Sequence, residues 1–215
     1  MKVFAWIRKD KYYVLLAVQL LFLFILPLIP VSTTAAAIFN VVGLSAIMLA
    51  GLNLFEQKKV VMLGRILTAA FIALVVFVQF KEFPLLYFFT FILFFALFVL
   101  IDARIILMLI HAKEIKPSLI VGSVAGYLMI GISLAFFIIT FSGLVGEVLS
   151  SNIEELGLHG LIYYSFTTMT TIGYGEITPT HPVLQTISVM SGVLSQFYMA
   201  VVVAVIVGKL MNNRA

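Results

Sequence analysis

The sequence predicts an all-α membrane protein with six transmembrane helices and a re-entrant segment between the fifth and the sixth. Three observations predict it. The chain of 215 residues is 63% apolar and only 10% charged, whereas a soluble domain is roughly half apolar and about a quarter charged. Six stretches carry the ~20 apolar residues that a helix needs to cross a ~30 Å hydrocarbon core. Segment 145–181 is too long for a tight turn and turns moderately apolar in its second half, which suits a loop that dips into the bilayer and returns on the same side.

The spans read in order as 11–29, 35–54, 60–80, 83–101, 119–144 and 182–211. The first is closed by Pro27 and Pro30, residues that a helix interior does not tolerate. The third carries Arg65 near one end. The fourth is rich in Phe and holds no charge until Asp102 and Arg104 at its end, and Arg65 is expected to pair with Asp102. The fifth has Gly122 and Gly126, a small-xxx-small face able to seat a neighbouring helix closely. The sixth runs for about 30 residues, ~45 Å at 1.5 Å per residue. It therefore tilts or projects beyond the bilayer. No polar stretch is long enough to fold as a separate soluble domain, which argues against a soluble enzyme and an attached ligand-sensing domain. The chain has no cysteine, so disulfides and thiolate metal sites are excluded. The three histidines, His111, His159 and His181, lack metal-ligand spacing. There is no phosphate-cradling glycine loop and no nucleophile–base arrangement, so no enzyme and no cofactor are expected.

Orientation follows from Lys and Arg. With the N-terminus cytoplasmic, twelve of the 13 basic residues lie at the inner side and Lys81 alone lies outside. Basic loops stay in the cytoplasm. The expected protein is therefore a multi-pass protein of the cell (plasma or inner) membrane with both termini cytoplasmic and segment 145–181 outside. Glu147, Glu154, Glu155 and Glu176 fall in that outer segment, where they present a negative field to an arriving cation. The positive net charge of +4 sits beside apolar spans, where it sets orientation; no nucleic-acid partner is expected.

The informative stretch lies inside the re-entrant segment. Thr170-Thr171-Ile172-Gly173-Tyr174-Gly175-Glu176 alternates glycine with larger residues at Gly173 and Gly175. Glycine tolerates positive φ, so the backbone there can turn successive carbonyls one way. Such carbonyls repel one another unless a cation lies among them. Repeated around an axis, they stack into oxygen rings that replace an ion's hydration shell. About 156–169 reads as a short helix whose C-terminal end points toward the bilayer centre, where its partial negative charge favours a cation. Tyr163 and Tyr164 on this helix are expected to pack against Tyr174 as an aromatic collar.

With Thr178-Pro179 following, these residues resemble the pore helix and selectivity filter of the potassium channel family, over roughly residues 118–211. The resemblance implies that the carbonyls of Thr171, Ile172, Gly173 and Tyr174, with the Thr171 hydroxyl, bind dehydrated K⁺ as the permeant ion. Gly175 completes the filter, and Thr170, Glu176, Tyr163 and Tyr164 support it. Glu176 stands where the family most often has Asp. Tyr163 and Tyr164 stand where many members have tryptophan. The sixth span resembles the inner helix, and Ser195 occupies the position of its usual glycine hinge, with Gly192 one turn earlier. Ser191, Gly192, Ser195 and Gln196 are the candidate cavity and gate residues, the polar ones either lining water or bonding between helices. One loop per chain requires several copies for a closed ring, and the resemblance implies a homotetramer in a lipid bilayer. The chain then divides into a four-helix sensor-like domain, 1–116, and a pore domain, 117–215. Because the fourth span is uncharged, voltage dependence is expected to be weak or absent. The competing readings are a potassium-transporter-type pore subunit, which would carry several such loops, and a non-conducting regulatory membrane subunit.

Overall fold

A computed structural model describes residues 11–31, 33–78, 84–112 and 116–212. They form seven α-helices: α1 Lys11–Ile25, α2 Thr34–Leu52, α3 Lys58–Val78, α4 Pro84–His111, α5 Pro117–Val145, α6 Ile153–Met169 and α7 Pro182–Asn212. Among the described residues there is no strand, only an isolated antiparallel bridge between Leu149 and Pro179. The ends follow local chemistry. A 3-10 turn, Leu26–Leu28, carries α1 over Pro27. Thr33 caps α2 by accepting the Ala36 N–H at 3.2 Å. Pro117 opens α5, where its fixed φ suits the first helical turn.

Five stretches are long and apolar enough to span a bilayer among the described residues: Lys11–Leu28, Thr34–Leu52, Ile92–His111, Pro117–Val145 and Pro182–Gly208. The remaining expected span, the third at 60–80, coincides with the 21-residue α3, whose last side chains lie outside the described residues, as does Lys81. The fourth span is longer than the sequence suggests. It was expected to close at 101, yet α4 continues to His111. Asp102 and Arg104 therefore lie inside the helix. The apolar run that follows them, Ile105 to Ile110, keeps the helix in register with the core, and Ile105 and Leu109 are buried.

Helix α5 is the hub, with α1, α4, α6 and α7 all packed on it. Its most extensive contact is with α4, through Phe94, Phe98 and Phe136, whose ring centroids lie 5.2–5.4 Å apart. Phe71 of α3 stacks on Phe94 at 3.8 Å. On the other side the buried Gln19 of α1 donates from Nε2 to the Ala125 carbonyl at 3.1 Å. The two glycines of α5 serve different neighbours. A Cβ at Gly122 would stand 2.5 Å from the Tyr12 ring of α1, and one at Gly126 would stand 2.7 Å from the Tyr198 hydroxyl of α7.

The expected Arg65–Asp102 pair is replaced by two other contacts. Asp102 is buried at the α4–α5 contact, where Ser133 donates to its Oδ2 at 2.9 Å. Arg65 instead donates to Asn53 Oδ1 at 3.4 Å. The cause is rotational: Arg65 is exposed, so its face of α3 does not turn toward α4's buried seam. One continuous core takes in residues from α1 through α7, so α1–α4 pack against α5–α7 of the same chain.

Candidate functional site

Helix α6 breaks at Gly157, whose φ of 57° and ψ of −172° are not helical. Only glycine adopts that backbone cheaply. Space demands it too, since a Cβ would stand 2.5 Å from Val31. Beyond the kink α6 runs to Met169, close to the expected short helix. Its C-terminal end is wedged between the middles of two long helices. A Cβ at Gly131, midway along α5, would stand 2.6 Å from the Phe166 ring. Ser195, near the middle of α7, donates to the Met169 carbonyl. The partial negative charge of a helix C-terminus is thus placed at mid-depth of two apolar spans.

The chain then leaves the helix in an unusual backbone. Positive φ recurs at every second residue: Thr171 at 62°, Gly173 at 54° and Gly175 at 93°. Thr171 is the only non-glycine among the described residues with positive φ. For a β-branched side chain that conformation is strained, by about 1–2 kcal/mol. Alternating hands of backbone turn are the pattern that can bring consecutive carbonyls to one side. Local bonds fix the start of the loop: Thr170 N–H to Phe166 O at 3.0 Å, Thr171 N–H to Thr168 O at 3.1 Å, and Gly173 N–H to Thr167 O at 3.0 Å. The Thr170 hydroxyl also donates to Phe166 O, at 2.5 Å.

The side chains of the loop face away from their own chain. Tyr174 is 72% exposed and Ile172 55%. No clash within the chain limits Gly173 or Gly175, since a Cβ built at either meets nothing within 4 Å. The expected collar of Tyr163 and Tyr164 around Tyr174 does not form within one chain. Neighbouring residues on a helix point about 100° apart, so the two tyrosines take different partners. Tyr164 is buried and shares a 2.5 Å hydrogen bond with Ser188 of α7. Tyr163 donates its hydroxyl to Glu176 Oε1. That bond pushes the Tyr163 pKa up to about 12, because losing the proton would set two anions side by side. The extra methylene of Glu176, relative to an aspartate, supplies reach for this contact.

Beyond Glu176 the chain is tied to the loop after α5. Ser150 N–H donates to Thr178 O at 2.8 Å, Thr178 N–H to Ser150 Oγ at 2.9 Å, and Thr180 N–H to Val148 O at 2.9 Å. Both ends of 170–180 are therefore anchored, one to α6 and one to this bridge.

The four residues singled out on the last helix divide between two faces. Ser195 is buried toward α6 and bonds Met169 O and Gly192 O. Ser191 is half-buried and donates to Ser188 O at 2.8 Å. Gly192 lies 3.6 Å, measured from a built Cβ, from Thr168 O. Gln196 turns the other way. It is exposed on a face shared with Met199, Ala200, Val203, Ala204 and Val207. Only 6% of the apolar window of α7 is buried, against 50% for α5. Lipid could cover the apolar part of that face, but an exposed glutamine at mid-span is costly in hydrocarbon. The face fits protein or water better.

Several contributors carried no sequence signal. Ser188, Ser133 and Ser150 are serines in apolar or loop context, and only the fold shows that they meet Tyr164, Asp102 and Thr178. Thr167 and Phe166 act through main-chain carbonyls, which no residue type advertises. Among the described residues no group of three or more His, Asp or Glu could hold a metal ion.

Residues 127–212 match the family model described as Ion channel. The match runs from Tyr127 in α5 through α6 and the loop to the end of α7, and leaves α1–α4 outside it. No curated protein and no solved structure matches the chain. The match and the apolar helices support an ion channel in a membrane, with permeation across the bilayer, and they point away from an enzyme.

Proposed function

We propose that the chain is one subunit of a potassium-selective channel, in which four copies surround a central axis and conduct K⁺ passively down its gradient. The observation that carries this reading is the recurrence of positive φ at Thr171, Gly173 and Gly175, directly after the C-terminal end of α6. In this reading the carbonyls of Thr171, Ile172, Gly173 and Tyr174, with the Thr171 hydroxyl, replace the water around a bare K⁺. Ion binding offsets the mutual repulsion of the carbonyls and the strain at Thr171. The α6 C-terminus adds negative potential below them, and Glu176 adds it at the outer mouth.

The copies are needed because one chain leaves its loop and its last helix uncovered. Tyr174 and Ile172 find cover against a neighbour's α6. The Gln196 face of α7 lines the water-filled vestibule below the filter. The fold is then six transmembrane helices plus a pore helix and filter. Residues 1–116 form a sensor-like domain and 117–215 the pore, with both termini cytoplasmic. With a single arginine and a buried aspartate on α4, the four-helix unit carries too little charge for steep voltage dependence.

The test is flux from purified protein in vesicles, with K⁺ and Na⁺ compared over a range of voltages. K⁺ flux far above Na⁺ flux, nearly flat with voltage, is the expected result. Equal flux of both ions refutes selectivity, and a mass in detergent other than that of four chains refutes the tetramer.

A further inference from the structure

At the inner ends of α1, α4 and α5 the chain forms an open pocket of about 490 Å³, whose lining includes no residue of the 170–180 loop. Arg104, Lys116, His111, Tyr12 and Ser118 contribute its polar lining, and among the described residues Glu56 is its one acid. Its remaining wall is apolar, from residues such as Met108 and Leu119. Lys11 stands at the rim, close enough to interact electrostatically with both Glu56 and Arg104.

The donors here are underused. The Arg104 Nε is buried without a hydrogen-bond partner, while its guanidinium lies 5.9 Å from the Phe55 ring. The Tyr12 hydroxyl has only the Met108 sulfur, at 3.6 Å, a weak acceptor. At the start of α5, Lys116 makes no side-chain cap and Pro117 has no N–H. Leu119 and Ile120 N–H close on Lys116 O, which leaves the Ser118 N–H outside the helix's own ladder. His111 donates from Nδ1 to Leu107 O at 2.8 Å, which holds its ring at the cavity wall. Buried donors without acceptors are costly, and a guanidinium beside an ammonium and a helix N-terminus matches phosphate oxygens.

We infer that this cavity binds a phosphate-bearing anion: an acidic phospholipid headgroup from the adjoining leaflet, or free phosphate. Arg104 and the Ser118 N–H supply directed donors, Lys116 and Lys11 supply charge, and the apolar wall accepts the first carbons of an acyl chain. Glu56 opposes binding. Because the site joins α4 to the first turn of α5, an occupant ties the four-helix unit to the pore side.

The experiment reads binding rather than flux, so its failure is separate from that of the channel reading. Full-length protein in uncharged detergent is titrated with dioctanoyl phosphatidylglycerol, dioctanoyl phosphatidylcholine or sodium phosphate while Tm is followed. Phosphatidylglycerol raises Tm and phosphatidylcholine does not. Lys116→Gln weakens the apparent affinity roughly fivefold, as expected for one surface cation, and Glu56→Gln strengthens it by a similar factor. Both side chains are exposed, so these variants fold. Arg104→Gln weakens binding further, and Arg104→Lys restores part of it. A shift with phosphatidylglycerol alone assigns a lipid headgroup, and an equal shift with phosphate assigns the free anion; either upholds the site. Equal shifts with both lipids, no shift with any of the three, or unchanged affinity in the Lys116 and Glu56 variants overturns it.

Discussion

Replacing Gly173 by alanine tests the loop's backbone directly. A Cβ at Gly173 meets no atom within 4 Å of its own chain, while φ there is 54°. The cost is therefore conformational, about 1–2 kcal/mol for an L-residue in the left-handed region. Four copies acting as one ring multiply that to about 4–8 kcal/mol against the conducting arrangement, or roughly a thousandfold or more in its population at 1.4 kcal/mol per tenfold. Gly143 provides the control. It too has open space, but it sits in α5 without positive φ, so Gly143→Ala stabilises by about 0.5–1 kcal/mol. The assays are K⁺ flux in vesicles and thermal unfolding in detergent. The expected outcome is loss of K⁺ flux in Gly173→Ala with a small fall in Tm, and unchanged flux with a small rise in Tm in Gly143→Ala. Wild-type flux and ion preference in Gly173→Ala would refute the idea that alternating backbone hands align the carbonyls.

Four further outcomes are expected. Tyr163→Phe frees Glu176 and hastens the decay of K⁺ flux during sustained conduction, while the K⁺ to Na⁺ ratio holds; unchanged decay removes any role for that bond. The same tyrosine has a raised pKa, so the fold favours its neutral form. Its contribution is present below the ordinary phenol value near 10 and is lost as pH rises through about 12. Ultraviolet titration shows a late tyrosinate that disappears in Tyr163→Phe. Ser133→Ala strands one oxygen of the buried Asp102 carboxyl and costs about 1–3 kcal/mol; Asp102→Asn combined with it in a double-mutant cycle shows coupling, whereas Arg65→Gln with Asp102→Asn shows none. Ser195→Ala removes the bond to Met169 O and lowers stability by about 1 kcal/mol, read by Tm.

Much of the spanning pattern was legible because hydropathy needs no tertiary knowledge. The helices α2, α5 and α7 begin and end within a few residues of their apolar runs, and the alternating glycines advertised their backbone. The fourth span was misjudged for a physical reason: a charge in an apolar run reads as a membrane border unless a partner is known. Ser133 is that partner, and nothing in its own surroundings in sequence distinguishes it from a packing serine. Within one chain the two tyrosines part company on geometry. Tyr163 and Tyr164 are adjacent, so one helix cannot aim both at a single ring, and only the placement of α7 shows that Tyr164 belongs to Ser188. The same holds for α7 itself. Its polar residues are visible in the sequence, but the turn that buries Ser195 and exposes Gln196 depends on where α6 ends.

That turn links two halves of the site. Ser195 holds the last carbonyl of α6, Met169 O, two residues before the strained Thr171. Tyr198, one turn further along α7, donates to Ser123 O of α5 at 2.8 Å, and its ring lies tilted beside Tyr127, 6.0 Å between centroids. The middle of α7 is therefore fastened both to the base of the loop and to the hub helix. A helix so fastened can bend below Ser195 without disturbing the loop, but a rotation at Ser195 pulls directly on Met169. Serine at this position gives up the backbone freedom of a glycine for a hydrogen bond that joins the middle of α7 to the end of α6. Ser195→Gly separates the two effects. It restores freedom and removes the bond, so K⁺ flux should rise if the lower helix limits conduction. If the loop needs the tether, K⁺ preference over Na⁺ should fall instead. A variant in which flux and preference both match the wild type would show that α7 and the loop move independently.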